Sequence, residues 1–142
     1  MTHTRITGFL DDESQPFIQA YIISPSLSDD IHPILFLIDT GSTTTTLLDA
    51  DVLRLGIDVS KLEKRKLPAV GVGGIIPTYE LRDITLIFDR GRGRFHMEEL
   101  DSIDVIVHDK EDDMNIGFSL LGADLLKRFR FDYCDDIFYL EK

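Results

Sequence analysis

The stretch Leu35-Phe36-Leu37-Ile38-Asp39-Thr40-Gly41-Ser42 constrains this chain more than any other. Four apolar residues run directly into an acid, and a short apolar run of this kind reads as a buried strand. An ionised carboxylate at the end of such a strand is costly to desolvate unless neighbouring donors hold it. The next three residues can supply those donors. Gly41 lets the backbone approach closely enough to aim its N–H at the acid, and Thr40 and Ser42 carry short hydroxyls that both donate and accept. The local chemistry therefore predicts one supported acid, Asp39, at the mouth of a core strand, which is how a catalytic carboxylate is built.

The chain around this stretch has 142 residues, the length expected of one domain over 1–142 with its own core. Its net charge of −11 would repel phosphates, so no nucleic-acid partner is expected, while basic peptides are weakly favoured over acidic ones. Cys134 is the sole cysteine, so no internal disulfide forms; this fits a reducing compartment, and a cytoplasmic location is expected. No apolar run reaches membrane-spanning length and no secretory signal opens the chain, so no membrane role is expected. His3, His32, His96 and His108 are scattered without ligand spacing, and the acidic pairs at 11–12 and 29–30 read as solvated turns. No metal or cofactor is expected.

The rest reads as mainly β. Strands are expected over 5–10 and 17–24 around a turn at Asp11–Ser14, where Ile18, Ala20 and Ile22 alternate with Gln19, Tyr21 and Ile23. After the third strand, Asp49 is placed to cap a short helix over 50–55 that Gly56 ends. Residues 61–66 form a charged, exposed approach to Leu67–Ile76, where Gly71, Gly73 and Gly74 are too dense for a helix and suit a tight hairpin. Strands follow over 79–88, 95–100 and 103–108. The segment Arg90-Gly91-Arg92-Gly93-Arg94 between the first two reads as a hairpin turn rather than an RNA-binding segment. An acidic loop over 110–115 leads to a strand, turn and short helix over 116–128, and a last hairpin turns at Asp135-Asp136.

Three of these stretches, taken together, resemble one family. Asp39-Thr40-Gly41-Ser42 behind its hydrophobic lead resembles the active-site stretch of aspartic proteases. The same residues, continued through Thr43-Thr44-Thr45, also look like the first phosphate loop of actin-like ATPases and of acetate or sugar kinases. That fold needs two lobes and a second phosphate loop, for which this chain is too short. Leu67–Ile76 resembles the flap of retropepsins, with Gly71, Val72 and Gly73 at its tip. Ile116-Gly117-Phe118-Ser119-Leu120-Leu121-Gly122-Ala123-Asp124-Leu125-Leu126 resembles the second retropepsin signature. The three occur in the family's order, and the likeness spans roughly 33–140.

The resemblance implies a small closed β-barrel of the acid-protease type with one or two short helices. It implies an aspartic endopeptidase whose chain carries one catalytic acid, Asp39, so that a homodimer brings two Asp39 carboxylates together to activate water. The substrate would be a peptide or unfolded protein. Thr40 would bond across the dimer axis, Gly41 would hold the carboxylate, and Ser42 would bond its outer oxygen and favour an acidic optimum. Leu37, Val72, Phe118 and Leu120 would line apolar pockets, and Gly71 and Gly73 would offer backbone groups to the substrate. Gly122 and Asp124 would be structural. A retropepsin-like domain that binds peptides or partner chains without cleaving them is the alternative. The chain departs from many viral members by having Thr43 and Ala123 where they carry an acid and an arginine, so that ion pair is absent.

Overall fold

Alternation decides where each strand of this chain goes. A computed structural model describes residues 3–28, 30–67, 69–71, 74–108 and 117–142. Strand β1 (Arg5–Leu10) turns into β2 (Pro16–Ile23), and β3 (His32–Ile38) returns beside it. Ile18, Ala20 and Ile22 of β2 and Ile34, Phe36 and Ile38 of β3 all face the same core, two residues apart as a pleated sheet requires. The short β4 (Thr46–Leu47) leads to helix α1 (Asp49–Arg54) and a 3-10 turn at Val59–Lys61. Next come β5 (Glu63–Lys64) and a two-stranded hairpin of β6 (Ala69–Gly71) and β7 (Gly74–Ile76). The long pair β8 (Thr78–Gly91) and β9 (Arg94–Ile106) precedes β10 (Ser119–Leu121) and helix α2 (Ala123–Leu126). β11 (Arg130–Cys134) and β12 (Ile137–Glu141) form the last hairpin.

Six strands close into a barrel in the order β2-β3-β10-β4-β9-β8, and β8 returns to β2 through the pairs Tyr21–Ile87, Ile22–Leu86 and Ile23–Thr85. Closure removes the open edges that a flat sheet would leave. The interior is filled by Phe36, Phe88, Ile22, Ile34, Leu81, Ile84, Leu86 and Ile103, all fully buried. A tail of three strands, β1, β12 and β11, extends the sheet beyond β2 and leaves β11 at its edge. Within the barrel most neighbours are antiparallel. The exceptions are β3 with β10 and β4 with β9, which run parallel; β3 and β10 end their pairing at Ile38 and Leu121, just before Asp39 and Gly122.

The mainly β expectation, the closed barrel and the two short helices are what the molecule has. Several boundaries differ for physical reasons. Asp49 is the first residue of α1 rather than its cap; the cap position is Leu48, without a side-chain bond, because the Asp49 carboxylate turns to His108. The helix does end at Gly56, with φ of +69°. The strands expected over 95–100 and 103–108 are one continuous β9 ending at Ile106, since its pairing with β8 holds one register through Ile84–Leu100, Arg82–Ser102 and Leu81–Ile103. The arginine–glycine segment is the β8–β9 turn: Gly91, Arg92 and Gly93 have φ of +81°, +56° and +71°, and Asp89 accepts the Gly91 N–H at 2.7 Å. The acidic loop over 110–115 lies outside the described residues.

Candidate active site

Asp39 is the first residue beyond β3, and main-chain bonds fix its position. Its N–H donates to Leu121 O of the parallel neighbour β10 at 3.0 Å. The Ser42 N–H donates back to Asp39 O at 3.2 Å, closing a tight turn. Inside that turn the Gly41 N–H donates to Asp39 Oδ1 at 2.9 Å. A Cβ on Gly41 would stand 3.2 Å from the same oxygen, so glycine keeps the carboxylate's side of the turn open. Asp39 itself is half-exposed and Thr40 and Gly41 are exposed, so the acid opens outward from a rigid base.

The base is built by the second glycine-containing stretch. β10 runs beside β3 with Ser119, Leu120 and Leu121 opposite Phe36, Leu37 and Ile38. Gly122 then passes under the Asp39 loop so closely that a Cβ there would lie 2.6 Å from Thr44 C and 2.8 Å from Ser42 O. The Ala123 N–H donates to Ser42 O at 2.7 Å and the Asp124 N–H to Thr43 O at 3.2 Å. In return the Asp124 carboxylate accepts the Thr45 N–H at 3.0 Å, the Thr45 hydroxyl at 2.8 Å and the Leu125 N–H at 2.8 Å. The Gly122 N–H donates to Thr45 Oγ1 at 3.1 Å. The loop over 39–45 and the start of α2 thus satisfy each other's polar groups, as buried backbone must.

The remaining sequence-derived residues divide into three sets. The Ser42 hydroxyl, expected to bond the outer carboxylate oxygen, donates instead to Thr44 O at 2.8 Å within the loop. Leu37 pairs in register with both Leu120 and Phe17, and all three stand on the sheet face opposite the core. Phe118 meets Phe17 edge-on at 4.6 Å while remaining 47% exposed, so Leu37, Leu120 and Phe118 belong to one apolar group near the acid. Gly71 ends β6 opposite Gly74. Val72 and Gly73 lie outside the described residues, as does Ile116.

Several residues at the site carry no signal in the sequence. Thr45 is fully buried and makes the bonds to Asp124 and Gly122, yet it is one of four consecutive threonines, and nothing in that run marks which one turns inward. Ser119 is buried and links β10 to α1: it accepts the Leu48 N–H at 3.0 Å and donates to Asp51 at 2.6 Å. Pro16, Ile38, Thr40, Phe131 and Tyr133 line an open cleft of about 330 Å³ beside the Asp39 loop, formed where β11 faces the end of β3. Among the described residues, no three acidic, histidine or cysteine side chains cluster as metal ligands.

No family model matches the sequence, and no curated protein matches it. Solved structures do. A retropepsin-like aspartic protease from Rickettsia conorii is 23% identical over 99% of this chain and 92% of its own, with a TM-score of 0.59. The EIAV protease complexed with the inhibitor HBY-793 is also 23% identical, over 83% of this chain and 90% of its own, with a TM-score of 0.52. The chain has the retropepsin-like aspartic protease fold.

Proposed function

We propose that this chain is an aspartic endopeptidase that works as a homodimer. The observation that carries the reading is the Asp39 carboxylate, held by the Gly41 N–H at the end of a core strand and backed by Gly122 and Asp124, in a chain of this fold. One such acid is half of a centre. Peptide hydrolysis of this kind needs two carboxylates that share one proton, because like charges so close resist ionising together. A two-fold axis beside the Asp39 loop supplies the second from another copy. Thr40, exposed on the loop, is suited to bonding across that axis. The edge strand β11 and its exposed Tyr133 flank the same region, which suits them to the contact between copies.

In this mechanism the ionised Asp39 takes a proton from a water molecule, whose oxygen bonds to the scissile carbonyl carbon. The protonated Asp39 gives its proton to the carbonyl oxygen. The resulting diol collapses as a proton passes to the amide nitrogen, the C–N bond breaks, and a carboxyl and an amine product leave. Leu37, Phe118 and Leu120 suit apolar side chains of the substrate. The glycines of the 69–76 hairpin suit main-chain pairing with an extended peptide.

Asp39→Asn tests the reading. The variant should keep its circular dichroism and its sedimentation as a dimer while losing cleavage of a casein or peptide-library substrate at mildly acid pH by about a thousandfold or more. Undiminished cleavage by the variant would place the activity elsewhere. A wild-type chain that binds such peptides and leaves them intact would favour the binding-only alternative.

A further inference from the structure

Residues 61–66 read from the sequence as an exposed approach, but Arg65 is half-buried. Its side chain is 28% exposed and makes a fork of bonds where three segments meet. Nε donates to Asp104 Oδ1 at 2.9 Å, Nη2 donates to Ser102 Oγ at 3.1 Å, and Nη1 stands 3.4 Å from Glu80 Oε2. Its main-chain N–H donates to Thr78 O at 2.7 Å. Arg65 precedes the 69–76 hairpin, and Thr78 and Glu80 follow it, so one side chain and its own amide gather both ends of the stem onto β9.

The contact does not stop at Asp104. That residue pairs with Thr46 across the parallel β4–β9 ladder, and its N–H donates to Thr45 O at 2.9 Å. Thr45 is the residue whose N–H and hydroxyl are held by Asp124 and whose Oγ1 accepts from Gly122. We propose that Arg65 is a positioning residue that couples the stem of the 69–76 hairpin to the loop carrying Asp39, through Asp104 and Thr45. The coupling stands on geometry alone; its effect on catalysis rests on the protease reading.

Charge gives Arg65 this role rather than a neutral residue. Asp104 is partly buried, and burial pushes its carboxyl up; the Arg65 guanidinium pulls it back, while Asp124 and Glu80 add repulsion. Asp104 therefore stands between two other acids, and Arg65 hydrogen-bonds Asp104 and forms an ion pair with Glu80. Arg82 lies on the outer side of Glu80 at 3.3 Å and shares its charge with the exposed Glu63. A planar fork can bond Asp104, Ser102 and Glu80 together, which a lysine cannot do.

The test is amide hydrogen exchange by mass spectrometry on the wild-type chain and on Arg65→Gln, Arg65→Lys and Asp104→Asn, with melting followed in parallel. Losing a charge-assisted contact should speed exchange about tenfold, both in the segment over 63–80 and in the loop over 42–46, with the rest of the barrel unchanged. Arg65→Lys should restore part of the protection, and Asp104→Asn should reproduce the loss should Arg65→Gln fail to fold. Faster exchange confined to 63–80 would make Arg65 a local anchor and overturn the coupling, as would no change in either segment. Where the wild-type chain cleaves peptide, Arg65→Gln should raise KM severalfold more than it lowers kcat. If the chain cleaves nothing, the protease reading fails while the exchange result still decides the coupling.

Discussion

A Cβ at position 122 would fall 2.6 Å from Thr44 C and 2.8 Å from two backbone oxygens of the Asp39 loop, distances no relaxed structure accepts. The atoms it would meet are main chain, so no side chain can swing aside. Gly122→Ala must then push the loop outward, lengthening the Ala123-to-Ser42 and Gly122-to-Thr45 bonds that hold it. The expected cost is about 1–3 kcal/mol of stability, read by urea unfolding, with a larger proportional loss of any peptidase activity because the loop carries Asp39. An alanine variant of unchanged stability and activity would show that the loop is not braced this way. At this scale the glycines were legible because each sits in a recognisable frame, one after an acid and one after an apolar pair. Thr45 and Asp104 were not, because their roles come from partners 79 and 39 residues away along the chain.

Among elements, β9 shows how much the strands depend on one buried acid. Glu98 on β9 is 5% exposed, and its carboxylate is met by Lys142 at 2.8 Å, Arg128 at 3.0 Å and the His96 ring. Burial alone would raise its pKa, but donation from Lys142, Arg128 and His96 outweighs burial and lowers it to about 2. The network ties β9 to the segment after α2 and to the residue beyond β12. A carboxylate whose folded pKa is depressed stabilises the fold above its unfolded value, near 4.5, and that contribution fades as pH falls toward about 2. Glu98→Gln should therefore lower stability by roughly 2–3 kcal/mol at neutral pH, with the gap from wild type closing below pH 4.5 in thermal or urea unfolding. A gap that stays constant down to pH 2 would mean the charge is not what holds these elements. Strand positions were legible wherever apolar residues alternated, as in β2 and β3. The polar break at Asp101-Ser102 hid the continuity of β9, because that continuity comes from pairing with β8 and not from the local pattern.

Across the whole molecule, the parallel pairing of β3 and β10 belongs to the closed barrel, and the three-stranded tail extends the sheet beyond β2. The sequence announced the order of the three motifs, and from them the barrel; it did not announce that β11 would stand at the sheet edge facing Thr40. That arrangement is set by which strands pair across more than a hundred residues, as β1 does with β12. On the reading proposed above, each copy contributes half of one catalytic centre. Mixing tests it directly: wild-type and Asp39→Asn chains are equilibrated at constant total concentration and the peptidase rate is followed against composition. Since a mixed pair holds one acid only, the rate should follow the square of the wild-type fraction, so an equal mixture should retain about a quarter of the activity. A rate falling in direct proportion to the wild-type fraction, to about half in the equal mixture, would show that each chain works alone and that no centre is shared between copies.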